Sequence, residues 1–181
     1  MSTRNATLMT QELGPQLQTQ QWVTVYTCAN HEKTVAKSLD ARCVEHFLPV
    51  YTSVARWKDR RVKIDLPLFP GYMFVRLEVG ERLRVLEVPG VVRLVGFNGQ
   101  PHPVPDAEIE SLRKGIQNAL QFVPHPYLSV GSRVRVKRGP LEGSEGILVR
   151  KKNGYRVVLS LHLIARSAAV EIDATDVERI S

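Results

Sequence analysis

The residues with the clearest capacity for chemistry are two cysteines and two of the five histidines. They recur as Cys28-x-x-His31 and Cys43-x-x-His46, a ligand-like spacing for a thiolate and imidazole metal site. The residues between the pairs argue against a shared ion. Asn30 is a candidate cap for a helix running to about Glu45, with Val35, Ala36, Leu39 and Cys43 on one stripe. At 1.5 Å per residue such a helix holds the two pairs roughly 20 Å apart. No metal and no cofactor is therefore expected, and Cys43 reads as a small core residue. Catalysis finds no better footing. The chain has no glycine loop for phosphates, no nucleophile elbow and no paired carboxylates in an apolar setting. His102 and His125 fall in proline-rich loops and read as surface residues. An enzyme is not expected.

Charge points elsewhere. Twenty-five Lys and Arg against eighteen Asp and Glu give a net charge of +7, which favours a polyanionic partner, nucleic acid first. The cations cluster. Arg56, Lys58, Arg60, Arg61 and Lys63 crowd the tip of a hairpin that holds only Asp59 and Asp65 in return. Lys33 and Lys37 lie one turn apart on the polar face of the first helix. Contacts from such groups to phosphates give affinity without reading sequence. For any single cation, a solvated surface position is the alternative.

The third feature is the apolar stretch Leu66 to Leu77. Pro67 and Pro70 stiffen it, and Gly71 lets it turn. Tyr72, Phe74 and Arg76 then alternate with Met73, Val75 and Leu77 as a strand. Both faces are apolar, so the strand is either covered on both sides or half exposed for docking.

These groups need positioning, and the rest of the chain supplies the elements. Met1 to Gln20, rich in Gln, Thr and Ser, reads as a tail in a cytoplasmic protein. Residues 21–121 read as an antiparallel sheet flanked by helices. Its pieces are a strand at Trp22 to Tyr26, the first helix, a strand at 47–51 and a hairpin over 52–66. After them come the strand after Gly71, a short helix at 81–87, a strand at 91–95 and a loop at 97–104. The last piece is a helix announced by Pro105, Asp106 and Glu108, with Ile109, Leu112, Ile116 and Leu120 on one stripe. Residues 122–129 read as a linker letting two domains tumble separately. Residues 130–181 then hold short strands with glycine turns and an Asn153-Gly154 hairpin signal, a small five-stranded SH3-like barrel. The fold class is α+β followed by all-β. No apolar run approaches the ~20 residues of a membrane span.

The motifs carry a family resemblance. Trp22-x-x-x-Tyr26, Pro49, Leu68-Phe69-Pro70-Gly71-Tyr72-Met73-Phe74-Val75 and Pro89-Gly90-Val91 resemble the amino-terminal domain of the NusG family of transcription elongation factors. Val130-Gly131, Val134, Val136, Gly139-Pro140-Leu141, Gly143 and Gly146 resemble its carboxy-terminal KOW motif. The resemblance implies a monomer that grips the clamp helices of the largest RNA polymerase subunits through a hydrophobic cavity, bridges the DNA channel and suppresses pausing. Tyr26, Phe69, Pro70, Gly71, Tyr72, Phe74, Pro89, Gly90 and Leu94 fall on the cavity pattern, with core packing the equal reading for Phe74 and Leu94. The basic groups would then face non-template or upstream DNA. The barrel in this family recruits a small-subunit ribosomal protein or the terminator Rho. Here Leu141 replaces a Phe, and Leu163-Ile164-Ala165-Arg166-Ser167 replaces a Phe-Gly-Arg segment, as in specialised antiterminator paralogs, which counts against Rho. Leu141 and Ile164 are the exposed partner-contact candidates, with burial in the barrel as the alternative. A ribosomal RNA binder is the rival reading. It would need a basic stripe where this chain has an aromatic one.

Overall fold

The computed structural model describes residues 20–57, 60–125, 127, 131–151, 154–161 and 164–180. In the amino-terminal half, strand β1 (Gln21–Thr27) leads through a turn to helix α1 (Glu32–Ala41), then to β2 (His46–Phe47), β3 (Val50–Trp57), β4 (Arg60–Pro67) and β5 (Tyr72–Leu77). A 3-10 turn over Val79–Glu81 enters α2 (Arg82–Leu86). It is followed by β6 (Val91–Leu94), β7 (Gly96–Phe97), β8 (Gln100–Pro101), β9 (Pro103–Val104) and α3 (Asp106–Gln117). The expected loop at 97–104 thus carries three short strands.

Strands order β2-β5-β1-β6 in one sheet, with β9 also paired to β1. The β1–β5 register sets Trp22 opposite Arg76, Thr24 opposite Phe74 and Tyr26 opposite Tyr72. With a side-chain period of two, these residues share one face, and Val23, Val25, Met73, Val75 and Leu77 share the other. Helix α1 covers the second face with Val35 and Leu39, both fully buried. The first face is covered by α3 and by the carboxy-terminal half.

Two local readings need correction. Helix α1 starts after His31, which makes no side-chain cap, while Asn30 sits in a turn at φ 62°. The helix also stops at Ala41. Arg42 N–H donates to Leu39 O and Cys43 N–H to Asp40 O, Cys43 takes φ 52°, and the thiol is exposed, so Val44 fills the core position instead.

The carboxy-terminal half is a six-stranded antiparallel sheet. Its members are β10 (Val123–His125), β11 (Ser132–Val136), β12 (Glu145–Lys151), β13 (Gly154–Leu161), β14 (Arg166–Ile172) and β15 (Val177–Arg179), ordered β10-β14-β13-β12-β11-β15. Five of these are the expected strands. The sixth, β10, falls where a linker was expected. Val123, Pro124 and His125 pair with Ala169, Ala168 and Ser167, and Phe122 is buried. Proline lacks the N–H needed inside a sheet but is tolerated on an edge, and β10 is such an edge. Among the described residues no helix is long and apolar enough to cross a membrane.

Candidate docking face and basic hairpin

The turn before β5 carries the densest set of expected site residues. Tyr72 N–H donates to Phe69 O, and Gly71 at φ 80° closes the turn. A Cβ on Gly71 would stand 3.2 Å from the Tyr26 ring, so glycine lets the turn press against β1. The Tyr26 and Tyr72 rings, each half-buried, tilt at 44° with centroids 5.2 Å apart. Pro70 and Pro89 are exposed, Gly71 is buried and Gly90 half-buried. Arg93 of β6 lies opposite Tyr26 in register and sets its guanidinium 5.6 Å from the Tyr26 ring centroid, within cation–π range.

The aromatic surface is covered, where an open cavity was expected. Phe69 and Phe74 are 1% and 0% exposed and meet edge to face at 6.3 Å. They belong to one apolar cluster running from Trp22 and Leu68 through Ile109, Leu112 and Phe122 to Val134, Leu141, Leu161 and Ile164. Leu94 stands opposite Val25 and packs on the α1 side of the sheet, away from Phe69. The face residue on β6 is Arg93, which sequence alternation alone does not reveal, because the register is needed to say which side β6 shows.

The cover is α3, with the chain's own barrel beyond it. Arg166, where β14 begins, places its guanidinium 5.8 Å from the Tyr72 ring centroid. Ser111 of α3 donates to Ala107 O at 2.7 Å, so Ser144 must donate in the 2.7 Å contact between the two hydroxyls, one of them on each domain. Gly115 brings α3 close: a Cβ there would overlap the Phe122 ring and come within 3.2 Å of Leu141. Leu141 and Ile164 are 2% and 8% exposed, which corrects their expected exposure. Burial, the alternative reading, holds for both: they lie in the one apolar cluster that the barrel shares with α3 and the sheet, and Leu141 meets α3 at Gly115. Beside this contact a cleft of about 760 Å³ remains open between α3 and the barrel, lined by Ser111, Leu112, Ser144, Gly146 and Leu159 among others. At its edge Glu145 accepts a 2.7 Å hydrogen bond from Arg135 and, by that bond and then by its charge, holds this guanidinium above its ordinary pKa.

Among the described residues the β3–β4 hairpin pairs only with itself. Arg56 stands directly opposite Arg61, and Val54 opposite Lys63, so Arg56, Arg61 and Lys63 share one exposed face. Arg60 is exposed on the other side, opposite Trp57. Lys58 and Asp59 lie outside the described residues. Lys33 donates to Asp65 O at 2.7 Å, tying α1 to the hairpin base, and Lys37 is exposed.

Comparison with known proteins agrees with this architecture. Residues 20–113 match the family model described as transcription termination factor nusG. The chain is 23% identical over 172 residues to the transcription termination/antitermination protein NusG of Helicobacter pylori, covering 88% of this chain and 98% of that protein. It is 26% identical over 174 residues to the Pseudomonas aeruginosa protein of the same name, with the same two coverages. A structure titled "Domain interaction in Thermotoga maritima NusG" superposes with a TM-score of 0.56 at 23% identity, covering 90% of this chain and 98% of that one. An antiparallel sheet with a Phe-Pro-Gly-Tyr turn, a barrel behind it and a family match over half the chain lead to one assignment: this chain belongs to the NusG family of transcription termination and antitermination factors.

Proposed function

We propose that this chain is a cytoplasmic, monomeric elongation and antitermination factor that binds the clamp helices of RNA polymerase with the sheet face carrying Tyr26, Phe69, Pro70, Gly71, Tyr72, Phe74, Pro89 and Gly90. Leu94 supports this face from behind. The observation that carries the reading is the half-buried Tyr26–Tyr72 pair beside a proline-glycine turn, on a face closed by a separate domain of the same chain. Aromatic rings bury much area at small entropy cost, and an apolar groove of this kind accepts a helical tip. Docking then requires the barrel to move aside, which also frees Leu141 and Ile164 for a second partner. A small-subunit ribosomal protein fits that role better than Rho, given the departures at Leu141 and at 163–167.

DNA contact goes to the hairpin. Like charges directly opposite across two strands destabilise the pair, and Arg56 facing Arg61 is relieved by a phosphate between them. Lys63, with Arg60 near the tip and Lys33 and Lys37 on α1, extends the positive field to non-template or upstream DNA without base reading, and Lys58 is assigned to the same set from the sequence alone.

Retention on RNA polymerase tests the docking face. Tyr72→Ala is expected to co-purify at a small fraction of the wild-type level while its circular dichroism is unchanged; wild-type retention would refute the docking face. For the hairpin, replacing Arg56 and Arg61 by Ser should lower the slope of log affinity for duplex against log salt by about two. An unchanged slope would exclude them.

A further inference from the structure

Among the described residues Glu32 is the only buried charged residue, 4% exposed at the first position of α1. Its Oε1 accepts a hydrogen bond from Gly71 N–H at 2.8 Å, across thirty-nine positions of chain. A buried carboxylate costs free energy unless it is compensated. Here the helix start and the amide supply the compensation. For stability alone an apolar side chain would serve as well or better. What the carboxylate adds is direction, since one oxygen fixes one amide.

That amide belongs to the turn that aims Tyr72. Gly71 is held from both sides, because Thr27 N–H also donates to Gly71 O at 2.9 Å. The second proline-glycine turn hangs from the same segment. Cys28 N–H donates to Gly90 O at 2.8 Å, and the Gly90 α-carbon packs so closely on Val35 and His31 that an added Cβ would stand 3.0 Å from Val35. Residues 27–32 therefore form a bracket that carries both turns at the rim of the docking face. Glu32 is the one side chain in it whose hydrogen bond reaches the Phe69–Tyr72 turn.

We infer that Glu32 is a positioning residue for RNA polymerase: it touches no partner itself and presets the Gly71 turn, so that Tyr72 meets the clamp helices without first being ordered. The inference rests on the docking face proposed above. In the full-length chain, Glu32→Ala is expected to remove the protection of the Gly71 amide against hydrogen exchange and to weaken polymerase binding about tenfold. Glu32→Gln, whose amide oxygen still accepts, is expected to restore most of both. A role confined to stability predicts instead that binding follows the melting temperature of each variant with no rescue beyond it. Unchanged Gly71 exchange in Glu32→Ala, wild-type binding by that variant despite fast exchange, or unfolding of both variants overturns the inference. Failure of the wild-type chain and of an opened Gly115→Ala chain alike to bind polymerase overturns the docking reading instead, and the Gly71 exchange readout separates the two failures.

Discussion

The two faces of the amino-terminal sheet are both dry, but they are closed by different means. On one, Val23, Val25, Met73 and Val75 lie under α1, a helix that leaves β1 by a four-residue turn and buries Val35 and Leu39 completely. On the other, Trp22, Phe69 and Phe74 lie under α3 and, beyond it, a barrel from the far end of the chain. The first cover is apolar apart from the buried Glu32–Gly71 hydrogen bond at its edge. The second brings a serine pair, a guanidinium over a ring and an open cleft beside them. Burial alone does not separate the two, since Leu39 and Leu141 are both almost fully buried. The nature of the cover does: one is a helix joined to the sheet by a short turn, the other a helix and a separate domain, which the docking proposed above requires to move aside.

The same substitution made on each side should expose this difference most strongly. Leu39→Ala removes a side chain from a core with no second arrangement and should cost about 2–5 kcal/mol of unfolding free energy. Leu141→Ala should cost clearly less in the same denaturant titration, because the barrel can retreat from α3 instead of retaining a void. Equal losses would mean that the barrel contact is as permanent as the α1 contact.

Gly115 gives the next largest effect and tests the interface without truncating anything. Alanine in a helix interior is favoured over glycine by about 1 kcal/mol, so Gly115→Ala should stabilise α3 taken alone. In the closed chain its methyl group collides with Phe122 and crowds Leu141. The expected outcome is two domains with separate rotational correlation times by NMR relaxation, together with raised retention on polymerase. A single correlation time would show that Phe122 simply shifts and the closed form persists.

Much of this was legible in the residues themselves, and all but one of the failures share one cause. The β5 alternation and the proline-glycine turn follow from side-chain period and turn chemistry, which are local, whereas the Tyr26–Tyr72 pairing needs the β1–β5 register. The α3 stripe at Ile109 and Leu112 is local as well. Leu141 was a candidate because it stands where the family has a contact Phe, and part of what buries it is α3 at Gly115, twenty-six positions earlier. Residues 122–127 looked like a linker because they break the pattern and no helical period returns after them, and what makes β10 a strand is the edge of β14. Glu32 gave no signal beyond being an acid at a helix start, since its partner Gly71 is brought near only by the sheet. Cys43 failed for a smaller reason: the apolar stripe continues one turn further than the helix does.

Arg166 should produce the smallest change, and the most specific one. A guanidinium 5.8 Å from the Tyr72 centroid is worth about 0.5–1 kcal/mol at a partly exposed site, too little to hold the domains together but enough to bias a balanced opening. Arg166→Ala should therefore shift the Tyr72 ring resonances part of the way towards their positions in Gly115→Ala. Arg166→Lys should fall between Ala and wild type, because it keeps the charge and loses the planar stacking. Tyr72→Phe should leave the bias intact, since the ring face is retained and the hydroxyl plays no part in the contact. If Arg166→Ala leaves the Tyr72 resonances where they are, the guanidinium is a bystander, and the barrel is held by its other contacts, the Gly115 packing and the serine pair among them.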